Sequence, residues 1–256
     1  MRDLFSLEGR TALITGGSRG IGKMIAEGFL SCGAKVYISA RKGAALEETA
    51  EELAKLGPCT ALNVDISGAN GARAMAEDYL KHESTLDILV NNAGAAWGAD
   101  FDEFPESGWD KVMDLNVKTP FFLTQALHGA LKSAASKERL AKVINVASID
   151  GIAVNPQETY SYHASKAGLT HLTKRMAVRL IRDNIAVSAI APGAFASDMN
   201  RVARDHADEI SKYIPSRRIG TPEDMAGAAI YLASRAGDYV VGETLVVDGR
   251  VSLMSG

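Results

Sequence analysis

The sequence predicts an α/β protein in which a doubly wound sheet of seven mostly parallel strands carries helices on both faces. Short apolar runs rich in branched residues alternate with amphipathic stretches of helical spacing. Such alternation is typical of parallel sheets built from strand–helix–strand units. The first apolar run is followed at once by a cluster of glycines, which favours a ligand site at the carboxyl ends of the strands. We expect one domain over residues 1–256.

Composition and charge limit the classes of partner that this domain is expected to bind. The chain has 256 residues, 46% of them hydrophobic, and a formal net charge of -3. It contains no long run of like charges, which argues against a nucleic-acid partner and against a polybasic membrane anchor. We therefore expect a small-molecule partner or none.

The cysteines and the amino terminus bear on the cellular compartment. Cys32 and Cys59 lie far apart and in no metal-ligand spacing, so we interpret them as buried thiols of a reducing compartment and expect no metal. The first ten residues, MRDLFSLEGR, lack a secretory apolar region, and no apolar run approaches the roughly 20 residues of a membrane span. The expected location is the cytoplasm.

The first predicted unit is a strand at Thr11–Ile14, a glycine-rich turn at residues 16–22, and an amphipathic helix that Gly33 closes. Glycines in such a turn let the backbone approach a pyrophosphate, whose negative charge the amides and positive end of the helix bind. A tight turn without a ligand is the alternative. The flanking strand and helix favour nucleotide binding.

The second predicted strand, Lys35–Ala40, ends at Arg41. An NAD-binding protein usually has a carboxylate there for the ribose 2′-hydroxyl. Arg41 and Arg19 could instead form a positive pair around a 2′-phosphate, because a guanidinium binds phosphate through two parallel hydrogen bonds. The pattern thus favours NADP(H) over NAD(H). The alternative for Arg41 is a solvated residue that opens the next helix.

The next two units repeat the alternation. Helices are predicted at residues 44–56 and 71–81, and strands at residues 60–64 and 86–90. Asp65, at the end of the third strand, either accepts from the adenine amino group or caps the following helix. Asn91-Asn92-Ala93-Gly94 follows the fourth strand, and such small residues suit a backbone lying against an adenosine ring.

A long helical pattern covers residues 105–134 and contains Asn116 and Pro120. If the helix continues through both, Pro120 lacks the amide that would bond the carbonyl of Asn116, and that carbonyl is free for water. A polar residue with a freed carbonyl could anchor a proton relay. A simple kink is the alternative.

The stretch from Ser148 to Lys166 carries the candidate chemistry. Ser148 follows the fifth strand, residues 142–146, and its hydroxyl can donate to a substrate carbonyl oxygen. Tyr162 and Lys166 are four residues apart and so share a helix face. The lysine is expected to lower the pKa of the phenol towards neutrality, where the phenol can act as a general acid or base. Tyr160 lacks such a partner; two exposed helix residues are the alternative for the pair.

The sixth strand, residues 185–190, leads into Ala191-Pro192-Gly193. We interpret residues 194–220 as a mobile lid over the substrate. Its apolar members are Phe195, Met199, Tyr213 and Ile214, and its arginines are Arg201, Arg204, Arg217 and Arg218. The arginines either contact an acidic carrier protein or a coenzyme A phosphate, or are solvated surface residues.

Together these motifs resemble those of the short-chain dehydrogenase/reductase family. They occur in the family's order and at close to its spacing over essentially the whole chain: TGGSRGIG at residues 15–22, Asn91 to Gly94, Asn116 in an LNV context, Ser148, Tyr162, Lys166 and Pro192-Gly193. The resemblance implies a Rossmann-like fold with Tyr162 as the acid in reduction. It also implies that Lys166 lowers the pKa of Tyr162 and binds the nicotinamide ribose, that Ser148 positions the carbonyl, and that Asn116 completes a proton relay.

The predicted cofactor contacts are Gly16, Ser18, Arg19, Gly20, Ile21, Gly22, Arg41, Asp65, Ile66, Asn92, Ala93, Gly94, Tyr162, Lys166, Pro192, Gly193, Phe195 and Ser197. Ser197 stands where many members have threonine and keeps the hydroxyl that can bond the cofactor amide. Asp248-Gly249-Arg250 replaces the usual Asp-Gly-Gly, which puts the local turn in doubt.

Within the family the chain is most similar to 3-oxoacyl-(acyl-carrier-protein) reductases of the rhamnolipid-associated type. The similarity lies in TGGSRGIG, the LDILVNNAG-x-x-WGA run, SGWDKVM and IAPG-x-F. It implies an NADPH-dependent reductase of a 3-oxoacyl thioester that forms a homodimer or homotetramer. A sugar, polyol or other secondary-alcohol dehydrogenase is the first alternative, and a catalytically silent NADP(H)-binding sensor is the second.

Overall fold

The computed structural model describes residues 2–197 and 200–253. Seven strands form one sheet in the order β3-β2-β1-β4-β5-β6-β7. They are β1 (Thr11–Thr15), β2 (Lys35–Ser39), β3 (Cys59–Leu62), β4 (Ile88–Asn91), β5 (Ala141–Val146), β6 (Ile185–Pro192) and β7 (Thr244–Val247). All six neighbouring pairs are parallel. This confirms the predicted doubly wound sheet.

Helices cover both faces of the sheet. They are α1 (Gly20–Ser31), α2 (Gly43–Leu53), α3 (Gly68–Leu80), α4 (Glu106–Met113), α5 (Thr119–Ala126), α6 (His128–Ala134), α7 (Tyr160–Leu180), α8 (Arg201–Asp205), α9 (Ala207–Ser211) and α10 (Pro222–Ala233). One buried cluster contains residues of α1, α2 and α10, and a second contains residues of α3, α5, α6 and α7. Neighbouring strand residues alternate between the clusters: Ile14 joins the first and Leu13 the second, because successive side chains of a strand point to opposite faces.

The predicted long helix at residues 105–134 is divided in the structure. Between α4 and α5 the chain forms a π-helical turn, Asp114–Lys118, in which the amide of Thr119 donates to the carbonyl of Asp114 five residues back. Pro120 follows at once; it has no amide hydrogen to continue an α-helical ladder, and a π-turn accommodates this locally. A second break at Leu127 separates α5 from α6. The freed carbonyl of Asn116 stays a prediction.

A chain of buried amide and hydroxyl groups fixes the helices that carry the candidate site. Asn91 Nδ2 donates to Asn145 Oδ1 at 2.9 Å and to Thr124 Oγ1 at 3.3 Å, and Asn145 Nδ2 donates to Thr173 Oγ1 at 2.8 Å. These bonds connect α5, β4, β5 and α7 in sequence. Since a buried polar group without a partner costs stability, they favour one position of α7 against the sheet.

The cysteines depart from expectation. Cys32 and Cys59 are free thiols, but both are partly rather than fully buried. Cys32 follows the end of α1, and Cys59 begins β3, which is an edge strand of the sheet. Within the described ranges, no helix has the length and apolar character needed to cross a membrane, and no group of potential ligands could hold a metal ion.

Candidate active site

A cleft of about 920 Å³ lies at the carboxyl ends of the strands. Most of the residues that line it come from segments that follow the first six strands, and Tyr162 and Lys166 project into it from α7. Of the predicted site residues, the lining contains Gly16, Ser18, Arg19, Gly20, Ile21, Arg41, Asp65, Ile66, Asn92, Ala93, Gly94, Ser148, Tyr162, Lys166, Pro192, Gly193, Phe195 and Ser197. Gly22 and Asn116 are outside this lining and support it from behind. One cleft therefore brings together nearly all residues that were predicted from separate motifs.

The glycine turn leaves no room for side chains at its tightest points. Gly16 and Gly20 have positive φ angles of 67° and 52°, a region that glycine adopts at little cost. A Cβ on Gly22 would lie 2.3 Å from the carbonyl oxygen of Gly16 and 2.5 Å from Asn92 Nδ2. The first turn of α1 therefore packs directly against the preceding loop. Gly20 and Ile21 of this turn line the cleft, so the N-terminus of α1 borders it, as at sites that bind a pyrophosphate.

Asn92 and Thr15 lock the glycine turn to the end of β4. Asn92 Nδ2 donates to the carbonyls of Thr15 and Gly16 at 2.8 and 3.1 Å. Thr15 Oγ1 accepts from the amides of Asn92 and Ala93, both at 3.0 Å. Sequence reasoning missed the role of Thr15; the signal was a hydroxyl at the last position of the first strand.

Positive charge gathers at the β2 end of the cleft. Arg19, Arg41 and Lys42 all line it there, and Lys42 had not been singled out from the sequence. Arg41 does not open the following helix, because Lys42 is the N-cap of α2. Three cations around one end fit a phosphate ester beside the adenosine ribose.

Asp65 lies close to this positive end. Its Oδ1 accepts from the amide of Ser67 at 3.0 Å, and the N-cap of α3 is Ser67 rather than Asp65. Bonding to Ser67 is the largest cause that lowers the pKa of Asp65, and Arg41 contributes in the same direction. The helix-cap alternative is therefore wrong, while the adenine contact stays a prediction.

Asn116 acts on the cleft through the backbone. Its Oδ1 accepts from the amide of Ala95 at 2.8 Å, and its Nδ2 donates to the carbonyl of Ala95 at 2.9 Å and to Ser165 Oγ at 2.9 Å. The side chain thus clamps the segment after β4 onto α7. A Cβ on Gly94 would lie 3.2 Å from Asn116 Oδ1 and 3.7 Å from Lys166 Nζ, so Asn116 and Lys166 both border the same short segment.

Ser148, Tyr162 and Lys166 meet at the other end of the cleft. Ser148 and Tyr162 both line the cleft here, and Ser148 Oγ accepts from the amide of Asp150 at 3.1 Å. Lys166 Nζ donates to the carbonyl of Val146 at 2.8 Å and lies 5.5 Å from the centre of the Tyr162 ring. A serine hydroxyl and a phenol that share one space can both bond a single carbonyl oxygen.

The pKa of Tyr162 differs from the sequence-based expectation. Burial raises it to about 12, an effect that Ser148 opposes and Asp150 increases. The expected lowering by Lys166 is wrong for the protein residues by themselves, because the ammonium faces the Val146 carbonyl and the ring. Tyr162 therefore keeps its proton at neutral pH, the state that a general acid requires.

The pKa of Lys166 is also displaced. Burial lowers it to about 8, and Asp150 opposes this change. Asp150 is thus an acidic group that acts on both Tyr162 and Lys166, and it lines the cleft beside them. Sequence reasoning missed Asp150, although it lies only two residues after Ser148 in the loop already under consideration.

The segment at residues 194–220 closes on itself at its base. The amide of Gly220 donates to the carbonyl of Ala194 at 2.9 Å, and a Cβ on Gly220 would lie 2.3 Å from the Phe195 ring. Phe195 and Ile214 are buried, whereas Tyr213 is 80% exposed. Met199 lies outside the described residues, as does the Arg201 side chain, and the lid function stays a prediction.

The carboxyl-terminal turn adapts to its unusual arginine. Arg250 has a φ of 75°, in the region that favours glycine. The carboxylate of Asp248 holds the turn by accepting from the amides of Arg250 and Ser252, both at 2.8 Å. On the opposite side of Asp248, a Cβ on Gly193 would lie 2.7 Å from the Asp248 Cβ. The turn therefore supports the cleft residue Gly193 although it lacks the second glycine.

Comparison with known proteins gives full-length matches. Residues 16–252 match the family model described as enoyl-(acyl carrier protein) reductase. The rhamnolipids biosynthesis 3-oxoacyl-[acyl-carrier-protein] reductase of Pseudomonas aeruginosa is 46% identical over 99% of this chain and 100% of its own length. The 2-dehydro-3-deoxy-D-gluconate 5-dehydrogenase of Escherichia coli is 38% identical, with 96% of each chain covered.

A solved structure agrees with these sequence matches. The NADP active-site complex of RhlG from Pseudomonas aeruginosa superimposes with a TM-score of 0.95 at 45% identity, covering 98% of this chain and 100% of that one. The match extends over the whole sheet and the cleft at its edge.

Proposed function

We propose that this chain, which belongs to the short-chain dehydrogenase/reductase family and is an NADP-linked oxidoreductase, reduces the ketone of a 3-oxoacyl thioester to the 3-hydroxyacyl form. The observation that carries the reaction type is that Ser148, Tyr162 and Lys166 line one cleft, with Lys166 Nζ 5.5 Å from the centre of the Tyr162 ring. The substrate class rests on the 46% identity to a 3-oxoacyl reductase.

The residues present fit NADP(H). Glycine turn amides would hold the pyrophosphate, while Arg19, Arg41 and Lys42 would hold the 2′-phosphate. The space that a Cβ on Gly22 would fill is already occupied by the Gly16 carbonyl, so the loop is shaped for close backbone approach. Lys166 would bind the nicotinamide ribose. When bound, NADPH supplies the hydride that reduces the ketone carbon.

The chain's own residues supply the proton and hold the ketone. The Ser148 hydroxyl donates to the ketone oxygen and fixes its position next to Tyr162. Tyr162 transfers its phenolic proton to that oxygen as negative charge develops there, so that the C=O group becomes a CH–OH group. The positive charge of Lys166 stabilises the resulting phenolate, and Asn116 holds the Ala95 segment beside the lysine.

Residues 1–256 act in this proposal as one dinucleotide-binding and catalytic domain, with residues 194–220 over the substrate. We place the enzyme in the cytoplasm as a homodimer or homotetramer. In this proposal the subunits pair through α5 and α7, which carry the exposed apolar side chains Phe121 and Val178.

A sugar-acid dehydrogenase is the second candidate, supported by the 38% identity to a gluconate-type enzyme. A silent NADP(H)-binding sensor has less support, because the four polar side chains of the proposed catalytic group are all present. A sugar acid carries a carboxylate, whereas the acyl group of a thioester does not. An assay with one substrate of each kind distinguishes the two enzyme classes.

A substrate panel tests the proposed function. Purified protein is mixed with NADPH and either the N-acetylcysteamine thioester of acetoacetate or 5-keto-D-gluconate, and NADPH oxidation is followed by absorbance. We expect turnover of the thioester, and a kcat/KM at least about tenfold lower when NADH replaces NADPH, because NADH lacks the 2′-phosphate that the cations would bind. Turnover of the sugar acid without turnover of the thioester would overturn the proposal.

A further inference from the structure

Asp150 lies at the substrate end of the cleft, next to the proposed catalytic pair. It belongs to a short 3-10 turn, Ile149–Gly151, and lines the cleft together with Ser148, Tyr162 and Lys166. The mechanism above gives its carboxylate no role. A charged side chain retained beside a reacting centre affects which substrates can enter, because a nearby like charge disfavours binding of an ion.

The position of this carboxylate is fixed by its neighbours. Its Oδ1 accepts from Asn155 Nδ2 at 2.8 Å, and its own amide donates to Ser148 Oγ at 3.1 Å. A Cβ on Gly151 would lie 2.6 Å from the carbonyl carbon of Lys166, so the turn packs directly on α7. The charge is therefore held in place rather than carried on a free loop.

The described cations of the cleft are poorly placed to bind a carboxylate substrate beside Asp150. Among the described lining residues, Arg19, Arg41 and Lys42 are at the opposite end, with the glycine turn. The cation close to Asp150 is Lys166, which is buried and donates to the carbonyl of Val146. Asp150 stabilises the charged form of Lys166, so the two charges offset each other at this end.

We propose that Asp150 is a specificity-determining residue that admits ketones with a neutral ester or thioester and excludes ketones that carry a carboxylate near the reacting carbonyl. The neutral group binds beside Asp150 at little cost. A carboxylate there would lose its water, meet a fixed negative charge and, among the cleft-lining residues that the structure describes, find no guanidinium beside Asp150 to pair with. This inference rests on the proposed reductase function, and it separates the 3-oxoacyl class from the sugar-acid class.

A matched pair of substrates isolates the effect of charge. Ethyl acetoacetate and acetoacetate contain the same ketone, and at neutral pH only the second is an anion. For wild type we expect a kcat/KM ratio of ester to anion of about 100 or more. In the variant Asp150→Asn the ratio should fall by about tenfold, since removing one charge leaves Lys166 unopposed. The amide oxygen can still accept from Asn155, so the turn is retained.

Glu158→Gln is the matched control. It removes the same charge from the same loop, but Glu158 is exposed and is outside the cleft lining. The ester-to-anion ratio of kcat/KM in Glu158→Gln should equal that of wild type. If the ratio moves equally in both variants, or in neither, Asp150 does not determine specificity, and the inference is overturned.

The outcomes separate this inference from the proposed function. If wild type reduces the thioester and the ester but Asp150→Asn keeps the wild-type ratio, the inference fails and the proposed function stands. If wild type reduces neither neutral ketone, the proposed function fails. Circular dichroism and the thermal midpoint of each variant establish that it is folded.

Discussion

The two ends of the cleft are built in different ways. At the cofactor end, the backbone itself forms the site: Gly16, Gly20 and Gly22 bring the loop and α1 so close that one added methyl group would collide. At the substrate end, long side chains form the site. Tyr162 and Lys166 reach inward from α7, Lys166 Nζ donates to the carbonyl of Val146, and Ser148 lines the cleft with them.

This difference explains how each end tolerates change. The cofactor end depends on empty space beside its glycines. An added side chain there should prevent binding of the cofactor without removing any catalytic group. A side-chain site depends on particular functional groups, so deleting one atom should destroy the chemistry while binding is intact. Substitutions at the cofactor end should therefore mainly raise the KM for NADPH, and substitutions at the substrate end should mainly lower kcat.

The largest effect is expected at the substrate end. Replacing Tyr162 with phenylalanine removes one oxygen and with it the proposed proton donor, so kcat for a reducible ketone should fall by about 10²- to 10⁴-fold. The Kd for NADPH, measured by fluorescence, should stay within about threefold of wild type, because the ring and Lys166 remain. The scale of the loss would distinguish an acid catalyst from a residue that only lines the cleft.

Tyr160→Phe provides the control for this variant. Tyr160 begins the same helix but contacts Phe101 and Phe104 at its surface, with ring centres 5.5 and 5.7 Å away. Removing its hydroxyl should leave kcat unchanged. Equal losses in the two variants would mean that Tyr162 has no special chemical role.

The cofactor end should respond to an added atom instead. In Gly22→Ala the new methyl group would lie 2.3 Å from the Gly16 carbonyl oxygen, so the turn must open and its amides lose their alignment. We expect the Kd for NADPH to rise by at least about tenfold, with a lower thermal midpoint, because overpacking costs roughly 1–3 kcal/mol. Titration of the protein with NADPH measures this Kd.

Gly227→Ala is the matched control, since Gly227 lies inside α10 with no atom within 4 Å of an added Cβ. Alanine should raise the thermal midpoint there, because glycine inside a helix is less favourable than alanine by about 0.5–1 kcal/mol. Unchanged NADPH binding in Gly22→Ala would show that the close contact is not needed for the site.

The cofactor end could be predicted from the sequence more fully than the substrate end. The glycine turn and the order of strands and helices follow from local rules, because tight approach requires glycine and parallel sheets require alternating elements. The direction of the Tyr162 pKa could not be obtained this way: a spacing of four residues places Lys166 on the same face, but only the folded chain shows that its ammonium faces Val146. Asp150 escaped notice for a similar reason, because its effect depends on how the 3-10 turn packs against α7.

The smallest expected effect is a shift in pH dependence, which distinguishes the ionisation of Lys166 from that of Tyr162 at the substrate end. Burial lowers the pKa of Lys166 to about 8, whereas that of Tyr162 is raised to about 12. As pH rises, Lys166 therefore loses its charge long before Tyr162 loses its proton. The kcat/KM for NADPH, which reports ionisations of the free enzyme, should fall as pH rises through about 8.

Asp150 raises the pKa of Lys166, so in Asp150→Asn this fall should begin at a lower pH, whereas Glu158→Gln should keep the wild-type profile. A fall that moves to higher pH in Asp150→Asn would mean that the ionisation controlling NADPH binding belongs to a group other than Lys166.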